Sequence, residues 1–303
     1  MPLVSIITVN FNQPVVTEEF LNSVRTVNGY PDIEVIVVDN GSSHNWTPDW
    51  RVRFPDVIFI RSEKNLGFAG GNNLGLRVAQ GNYYFLINND TEFTPRALGK
   101  LVAILDQYPE VGMVSPRLHY FEDRNLIQYA GYTPLNYRTG RNRCVGQYEH
   151  DRGQYDGQCG PTGYVHGAAM LVRKEAVEKA GPMDPHYFLY FEELDWCERI
   201  KKAGYKAYVD LDAVIYHKES VSVGKRSALK EYFMTRNRIL FLRKHAPPLS
   251  FALFCAYFTL AVVPRNVLRY LRNREYNFIG VFFKAIRWHF THSSDSPELG
   301  YSL

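Results

Sequence analysis

The sequence predicts an α/β fold in which helices cover both faces of a mostly parallel sheet. Four short runs are apolar and often β-branched at nearly every position, as in strands that are buried on both sides. Helical patterns separate these runs, and an alternation of strands and helices is typical of a parallel sheet. The four predicted strands are residues 3–9, 33–38, 57–61 and 83–87.

Two helices are predicted between these strands. Residues 15–27 follow Pro14 and have Glu18 and Glu19 in the first turn, which suits the positive end of a helix dipole. Residues 67–80 begin with a glycine-rich stretch and continue with helical spacing. Glycine at a helix start lets a ligand approach the backbone N–H groups closely, although an ordinary tight turn would use the same residues.

The second half of the chain is less regular. The alternation stops after about residue 115, and residues 119–163 are rich in Tyr, Gly, Arg and Asn. We expect this segment to be a long irregular insertion, and such insertions in compact domains are commonly functional. The elements predicted after it are an apolar run at 164–172, helices at 174–180 and 194–203, short strands at 205–209 and 213–216, and basic helices from residue 227 onward.

Polar residues follow three of the predicted strands at their carboxyl ends. They are Asn10 and Asn12, Asp39 and Asn40, and Asn88, Asn89 and Asp90. The carboxyl ends of neighbouring parallel strands meet at one edge of the sheet, where open α/β sheets bind their ligands. A carboxylate flanked by amide oxygens suits a hard divalent cation that also contacts a diphosphate. The sequence therefore predicts a nucleotide site at this edge.

The cysteines and the N-terminus indicate a cytoplasmic protein. The four cysteines show neither CxxC spacing nor a zinc-finger pattern. We expect reduced thiols, as in a cytosolic protein, and a Cys144–Cys159 bridge is the alternative. The N-terminus leads directly into the first predicted strand and shows no signal-peptide pattern.

The C-terminal region differs in charge from the rest of the chain. Residues 225–290 contain 13 Lys and Arg and 2 acidic residues, a formal charge of +11, whereas the remainder carries −7. Residues 249–263 are apolar but end at Pro264 after about 15 residues, and a spanning helix needs about 20. Residues 278–290 combine apolar helical spacing with basic residues, which is typical of a helix that lies in a membrane interface.

We therefore expect peripheral contact between this region and the anionic inner face of the cell membrane. The alternative is a helical pair that packs on the rest of the chain or forms a homodimer. Nucleic-acid binding is not expected, because the region is too apolar for a purely electrostatic phosphate-binding surface.

Several motifs occur in an order that resembles the inverting family 2 glycosyltransferases, and among them the rhamnosyltransferases. They are VSIITVNFN at 4–12, VVDNGS at 37–42, NLGFAGGNN at 65–73, LINNDT at 86–91, YFEELDWC at 190–197, and His217 followed by Ser220 and Ser222. The resemblance implies a GT-A fold, a nucleotide-sugar donor and a Mg or Mn cation. It divides the chain into a catalytic domain at 1–225 (a donor half at about 1–115 and an acceptor half at about 116–225) and a helical region at 226–303.

The resemblance assigns the donor site to the strand tips and to the glycine-rich segment. Asp39 is expected to contact the base or ribose, since a carboxylate accepts hydrogen bonds from base N–H and sugar hydroxyl groups. An Asx turn is the alternative role for this residue. The other residues expected to contact the donor are Thr8, Asn10, Asn12, Asn40, Gly67, Gly70, Gly71, Asn72, Asn88 and Asn89.

Asp90 and His217 are the predicted ligands of the cation. Asp90 lies in a segment similar to the DXD motif of the family, in which Asn88 stands where the first Asp is usual. An amide oxygen brings no charge, so a compensating ligand is needed, and the resemblance places His217 beside the diphosphate. An imidazole ligand is compatible with Mn more readily than with Mg.

Glu192, Glu193 and Asp195 form the acidic cluster in which we expect the general base. Inverting displacement needs a base that takes the proton of the acceptor hydroxyl, and neighbouring carboxylates raise one another's pKa. The resemblance favours Glu193, with Glu192 and Asp195 as alternatives, and Asp195 could instead cap the following helix. Residues 165–170 either approach the sugars or simply pack as a strand. Arg236 is either a phosphate contact or a surface cation.

Together these expectations describe an enzyme that transfers a sugar with inversion to a glycan or lipid-linked acceptor, as in cell-surface polysaccharide synthesis. Rhamnose is the leading choice of sugar, and a dTDP- or UDP-sugar is the expected donor. The alternative is a catalytically silent protein that binds a nucleotide-sugar or a glycan. Asn88 and Glu193 support this alternative, because the family usually has Asp at both positions. A nucleotidyltransferase is disfavoured because residues 8–14 lack a Gly-rich loop with a basic residue.

Overall fold

The computed structural model describes residues 1–218 and 227–302. Ser220 and Ser222 of the late motif, and the predicted boundary at residue 225, lie outside the described residues. All four cysteines are free thiols, so the alternative Cys144–Cys159 bridge does not form.

The first half of the chain has the predicted alternation of strands and helices. Its strands form where apolar, often β-branched side chains are buried on both faces of a sheet. The elements are β1 (Val4–Asn10), α1 (Pro14–Val27), β2 (Ile33–Asn40), α2 (Thr47–Arg53), β3 (Val57–Ser62), α3 (Gly67–Val78) and β4 (Tyr83–Ile87). The sequence pattern did not indicate α2, because seven residues are too few to show a helical period.

The second half continues the same sheet. Its elements are β5 (Thr91–Phe93), α4 (Ala97–Gln107), β6 (Val111–Tyr120), β7 (Ile127–Tyr129), β8 (Cys159–Pro161), β9 (Ala169–Arg173), α5 (Lys174–Ala180), α6 (Glu192–Lys202) and β10 (Lys206–His217). Among the described residues the strand order is β3-β2-β1-β4-β9-β6-β10-β5, with β7 beside β6 and β8 beside β10. Strands β1 to β4 are parallel, β9 lies antiparallel between β4 and β6, and β6 is parallel to β10. The predicted helix-flanked α/β sheet is confirmed.

Two strands of the second half differ from the expectations. The alternation of strands and helices does stop near residue 115, since no helix of the described residues separates β6, β7, β8 and β9, but the ten-residue strand β6 at that point was not predicted. Its polar side chains Ser115, Arg117 and His119 are 0%, 5% and 4% exposed, so the strand has no continuous apolar run by which to recognise it. The strands expected at 205–209 and 213–216 form the single strand β10, whose register shifts between Asp210 and Val214. A bulge of this kind interrupts the pattern without ending the strand.

Helices cover both faces of the sheet. On one face α1, α2 and α4 bury large side chains such as Phe20, Trp50 and Leu101 against the strands. On the other face α3 and α6 do the same, and Trp196 of α6 is fully buried there. Burial of one such side chain contributes about 1.5–3 kcal/mol, so the sheet is a stable platform for the residues at its edge.

The C-terminal region consists of α7 (Ala228–His245), α8 (Pro248–Tyr257), a π-helical turn (Phe258–Val262), α9 (Val263–Arg272) and α10 (Tyr276–Thr291). Helix α8, the π-helical turn and α9 form one continuous helix, Pro248–Arg272. The predicted end at Pro264 is therefore wrong. The wider π-helical turn before Pro264 offers a place for a residue that lacks a backbone N–H.

The helix Pro248–Arg272 has one packed face and one exposed face. Phe258 packs on Phe282 of α10, and the Tyr270 hydroxyl donates a hydrogen bond to Glu231 of α7. Only 22% of its most apolar stretch is buried, and within the described part of the chain it is the one helix that is long and apolar enough to cross a membrane. Only its length and composition suit a helix that crosses a membrane. Its contacts with α7 and α10 hold it against the rest of the chain.

Candidate active site

Three strand ends meet at the carboxyl edge of the sheet. In the parallel register Asn10 lies opposite Asp39, and Ile7 lies opposite Leu86. The polar residues after β1, β2 and β4 therefore lie side by side. Thr8 lies beneath them in β1, fully buried, and its hydroxyl has no hydrogen-bond partner among the described residues.

Asp39 is fully buried, and both oxygens of its carboxylate have partners within the protein. One oxygen, Oδ1, accepts hydrogen bonds from Asn10 Nδ2 at 2.9 Å and from the Ser42 hydroxyl, and the other pairs with Arg61. The side chain of Arg61 is 30% exposed, so Arg61 is the accessible member of this ion pair. Sequence reasoning missed Arg61, although its place opposite Asp39 at the end of β3 was a usable signal.

The asparagines at these tips hold the loops in place. The side-chain oxygen of Asn10 accepts from the Gln13 N–H at 3.1 Å and from the Thr17 hydroxyl at 3.0 Å. Asn40 accepts from the Leu66 N–H at 3.0 Å and donates to the Gly67 carbonyl at 3.0 Å. These contacts use the amide groups fully, so the structure gives both residues a supporting role, and direct donor contact stays a prediction.

Asn12 is exposed and has a left-handed backbone, with φ 56°. Its side-chain oxygen accepts from the backbone N–H of Ser43 at 2.9 Å and from the Ser43 hydroxyl at 3.0 Å. Asn12 thereby joins the loop after β1 to the loop after β2. Its contact with the donor stays a prediction.

The glycine-rich start of α3 packs closely on the protein itself. A side chain at Gly67, where φ is +72°, would collide with the carbonyl oxygen of Phe188. A Cβ at Gly71 would lie 2.9 Å from Cγ1 of Val9, and one at Gly70 would lie 2.6 Å from Cβ of Leu66. Close packing of α3 on β1 and on the Phe188 turn thus accounts for these glycines. Contact with the donor stays a prediction.

The segment after β4 presents both amide and carboxylate groups. Asn88 is partly exposed, and its backbone N–H donates to the Ala168 carbonyl at 2.9 Å. Asn89 is buried and donates to the Thr17 hydroxyl at 2.9 Å. Asn72 of α3 is also buried and donates to the Phe68 carbonyl of its own helix at 2.9 Å. Among these three residues Asn88 is the most accessible to a ligand.

Asp90 and His217 lie together, although 127 residues separate them in the chain. Asp90 Oδ1 is 3.2 Å from His217 Nε2, yet this oxygen is buried and has no hydrogen-bond partner. His217 Nδ1 lies 2.8 Å from the amide oxygen of Gln128, which can only accept, so Nδ1 carries the proton. Nε2 faces Asp90, so an unprotonated Nε2 and the Asp90 carboxylate are placed to ligate one cation together.

Gln128 fixes this tautomer of His217, and sequence reasoning missed it. It lies in β7, inside the segment that was expected to be irregular. The described residues contain no group of three or more His, Cys, Asp or Glu side chains that could hold a metal ion. Asp90 and His217 thus fit a cation that completes its coordination with a bound diphosphate and water.

The segment 165–170 connects this pair to the acidic cluster. The His166 ring lies 6.2 Å from that of His217, and its Nδ1 accepts from the Ala168 N–H at 3.1 Å. Burial, with the nearby His217, lowers the pKa of His166 to about 3, so this ring is neutral. A Cβ at Gly167 would lie 3.7 Å from Cδ of Glu193, so the carboxylate reaches this segment without obstruction.

Glu192 and Glu193 form the first turn of α6, which begins two residues earlier than expected. Burial raises the pKa of Glu193 to about 7, and the side chain is still partly exposed. Burial and the charge of Glu193 raise the pKa of Glu192 well above its usual range. Glu192 is 3% exposed, so of the two it is Glu193 that an acceptor hydroxyl can reach.

Asp195 lies in a different environment. It is 1% exposed, and its carboxylate pairs with Arg199 Nε and His245 Nε2, both at 2.7 Å. These partners lower the pKa of Asp195 despite its burial. The residue before α6 is Phe191, so Asp195 does not cap the helix. A buried, paired carboxylate with a lowered pKa is a poor general base, and the structure supports this alternative least.

The turn before α6 has a strained backbone. Phe188, Tyr190 and Phe191 have φ values of 62°, 70° and 74°, in the left-handed region that non-glycine residues rarely adopt. Strain of this kind persists where surrounding structure imposes it, and it is common beside functional groups. The turn determines the direction in which α6 presents Glu193.

Helix α7 holds this turn. Asn237 Nδ2 lies 2.8 Å from each of the carbonyl oxygens of Tyr187, Leu189 and Tyr190. The adjacent Arg236 donates to the His186 carbonyl at 2.7 Å. Arg236 is fully buried, so the expectation of a surface cation is wrong. Its contacts support the turn and leave no route to a phosphate.

The comparisons with known proteins identify the family of the chain. Residues 5–181 match the family model described as Glycosyl transferase family 2, which is more than half of the chain. An N-acetylglucosaminyl-diphospho-decaprenol L-rhamnosyltransferase of Mycobacterium tuberculosis is 26% identical over 66% of this chain and 71% of its own. The dTDP-rhamnosyl transferase RfbF of Shigella flexneri is 24% identical over 79% of this chain and 81% of its own.

Solved structures show the same fold. A mannosyltransferase of Pyrobaculum calidifontis, PcManGT, in complex with GDP-Man and Mn2+, superposes with a TM-score of 0.57 at 19% identity, over 96% of this chain and 76% of its own. The S. aureus TarS 1-349 structure gives a TM-score of 0.55 at 15% identity, over 94% of this chain and 81% of its own.

The chain thus has the GT-A fold. The chain belongs to glycosyl transferase family 2 and is similar to its rhamnosyltransferases. The resemblance expected from the motifs is confirmed, and the comparisons do not favour the silent-binder alternative.

Proposed function

We propose that this protein transfers rhamnose, or a related hexose, from a dTDP- or UDP-sugar to a lipid-linked saccharide, with inversion and with a divalent cation. The chemistry needs a base on the acceptor side and a means of stabilising the leaving diphosphate. The observation that most supports the proposal is that Glu193, with a pKa of about 7, lies beside Gly167, in the segment whose His166 ring is 6.2 Å from that of His217.

Glu193 acts as the general base in this proposal. A carboxylate with a pKa near neutrality accepts a proton most effectively at cellular pH, since a base works best when its pKa is close to the working pH. The acceptor hydroxyl approaches over Gly167, where no side chain intervenes. Loss of its proton as it attacks the anomeric carbon gives inversion in one displacement.

Asp90 and His217 would hold the cation together with the donor. A divalent cation bound there stabilises the negative charge that develops on the leaving nucleoside diphosphate. Gln128 keeps the lone pair of His217 Nε2 available for this role. A site with one carboxylate and one imidazole suits Mn better than Mg.

The choice of donor and acceptor rests on the named relatives. One relative is named for L-rhamnosyl transfer to a diphospho-decaprenol-linked N-acetylglucosamine, and another for a dTDP-rhamnosyl donor. A relative of Haloferax volcanii, 25% identical over 78% of this chain, is named as a hexosyltransferase of glycan biosynthesis. Rhamnose from dTDP-rhamnose is therefore the first donor to test.

The proposal is tested by donor binding to wild type, Asp90→Ala and the exposed control Asp49→Ala, each with Mn, with Mg and with EDTA. We expect dTDP or UDP with Mn to raise the melting temperature of wild type and of the control, and not of Asp90→Ala. Equal stabilisation of Asp90→Ala would remove Asp90 as a cation ligand. Donor binding without any transfer to a prenyl-diphosphate-linked sugar acceptor would support the silent binder instead.

We also propose that the enzyme works at the cytoplasmic face of the membrane through its C-terminal helices. Leu260 and Leu268 are 78% and 65% exposed on Pro248–Arg272, and Phe290 of α10 is 84% exposed. Exposed basic residues flank this apolar surface, which favours an anionic bilayer. Cosedimentation with phosphatidylglycerol vesicles, weak with phosphatidylcholine and reduced by salt, would support it. A dimer in size-exclusion chromatography, without vesicle binding, would show instead that a second copy covers this surface.

A further inference from the structure

Three arginines from three elements lie together beside the helix Pro248–Arg272. Arg141 comes from the hairpin closed by the Asn136–Arg141 bridge, Arg238 from α7 and Arg265 from α9. Their charges interact: Arg141 and Arg265 both act on Arg238, after burial, to lower its pKa to about 10. We call these three residues the arginine cluster.

The arginine cluster lacks acidic partners. Among residues 1–218 and 227–302, none of the three arginines forms an ion pair with a carboxylate. Arg238 donates to the Thr139 carbonyl, while its buried Nε has no hydrogen-bond partner, and Arg265 reaches the side-chain oxygen of Asn266 at 3.3 Å. Arg141 and Arg265 are exposed. Unneutralised guanidinium groups that lie close together favour an anion with several oxygens.

The cluster also borders the apolar surface of the C-terminal helix. The Arg141 guanidinium lies 5.6 Å from the ring centre of Tyr257, and that of Arg238 lies 5.6 Å from Phe254 and 5.9 Å from Phe258. The π-helical turn Phe258–Val262 widens the helix at this level. Phe254 and Phe258 belong to the packed face of the helix, whereas the exposed Arg265 lies three residues before the exposed Leu268, on the same side of the helix. An anion bound here would therefore have apolar surface next to it.

A short path leads from the cluster to the proposed base. Asn142, the residue after Arg141, donates a side-chain hydrogen bond to the Tyr164 hydroxyl. The charge of Glu193 in turn raises the pKa of Tyr164, so the two side chains are near one another. Tyr164 is buried and stacks on Tyr132 with ring centres 4.1 Å apart, so it connects the hairpin of Arg141 to the surroundings of Glu193 through packed side chains.

We propose that the arginine cluster binds the diphosphate of a prenyl-diphosphate-linked acceptor, whose prenyl chain lies on the exposed face of Pro248–Arg272. This inference rests on the proposed function and adds the acceptor subsite to it. The acceptor sugar then lies between the diphosphate and Glu193. The donor diphosphate occupies a separate place, beside Asp90 and His217.

The test measures binding of farnesyl diphosphate by isothermal titration in detergent, with the donor site saturated by dTDP and Mn. Farnesol and inorganic diphosphate are the reference probes. The variant is Arg141→Gln/Arg265→Gln, which changes two exposed residues and leaves the packed Arg238 in place. The matched control is Arg272→Gln/Arg287→Gln, which removes the same charge from exposed positions of the same region.

We expect farnesyl diphosphate to bind wild type and the control with equal affinity. Its affinity for the cluster variant should be lower by about tenfold or more, because each charge-assisted hydrogen bond to the diphosphate contributes to the binding free energy. Both reference probes should bind more weakly than farnesyl diphosphate. If the cluster variant and the control lose affinity for farnesyl diphosphate equally, general charge attraction explains the binding and the proposal is overturned. A farnesyl diphosphate affinity no higher than that of farnesol would also overturn it.

The dTDP affinity, measured in the same samples, separates this inference from the proposed function. Normal dTDP binding with no farnesyl diphosphate binding would overturn the acceptor subsite alone. Absence of dTDP binding in wild type would instead overturn the proposed donor site. Circular dichroism and melting temperature of both double variants show that the fold is intact.

Discussion

The two sides of the first turns of α6 hold carboxylates in opposite environments. On the side that faces Gly167, burial raises the pKa of Glu193 to about 7, and no cationic side chain of the described residues offsets this effect. On the side that faces α7, Arg199 and His245 lower the pKa of Asp195 although it is more deeply buried. Glu193 and Asp195 are therefore only two positions apart in the chain, yet one is suited to accept a proton and the other belongs to a structural ion pair. The difference arises from what each side chain contacts.

The largest expected effect comes from a substitution of Glu193, on the side of α6 that faces Gly167. Glu193→Gln keeps the shape of the side chain but cannot accept a proton, so we expect kcat to fall about 10²- to 10⁴-fold. Donor affinity should stay within about twofold, since Glu193 does not contact the Asp90–His217 pair. Steady-state kinetics and titration with the nucleotide measure the two quantities. Glu175→Gln, an exposed change in α5, is the control, and an active Glu193→Gln would place the base elsewhere.

On the side of α6 that faces α7, a substitution is expected to change the stability of the protein. Asp195→Asn leaves Arg199 and His245 without their shared carboxylate, and we expect a loss of about 3–5 kcal/mol in the free energy of unfolding. Urea unfolding followed by circular dichroism measures it. The kcat of the folded variant should change less than tenfold. A fall in kcat as large as that of Glu193→Gln, with stability unchanged, would contradict the assignment of Asp195 as structural.

The connection between the two sides is the turn held by Asn237. Asn237→Ala removes the donor shared by three carbonyl groups, so we expect a loss of about 1–3 kcal/mol in stability and a lower kcat. The KM for the donor should change less than kcat, because the turn carries Glu193 directly, whereas it touches the predicted donor segment at Gly67 and Phe68. Met234→Ala, at an exposed position of α7, is the matched control. An Asn237→Ala enzyme with normal kcat would show that the turn keeps its conformation without this side chain.

The smallest effect is a pair of opposite pH dependences. The pKa of Glu193 is 4.5 ordinarily and about 7 in the folded protein, so between these pH values the folded state binds more protons and stability falls as pH rises. Asp195 has the reverse shift, so its contribution is present at neutral pH and is lost as pH falls below its ordinary pKa of 3.8. Unfolding of wild type and Glu193→Gln from pH 4 to 8 measures the first dependence, and the variant should show a shallower slope. A slope unchanged in the variant would contradict the raised pKa.

Much of the donor half was evident from the sequence. The apolar runs of β1 to β4 are local and continuous, so their strands, their parallel order and the polar residues at their ends could be predicted. Asp90 and Glu193 could be proposed as site residues because each lies in a motif that resembles the family. The charge of the C-terminal region and the helical character of α10 were also properties of the sequence alone.

Only the tertiary structure decided the properties that depend on distant partners. Gln128 selects the tautomer of His217, and Arg199 with His245 separates Asp195 from Glu193, although no local pattern indicates either. Strand β6 was missed because its polar side chains are buried by neighbouring strands, and the helix Pro248–Arg272 because a π-helical turn accommodates Pro264. Burial and pairing arise when chain segments far apart in sequence come together. A pKa or a buried arginine such as Arg236 is therefore a property of the folded protein, whereas the type and order of the first strands are properties of the sequence.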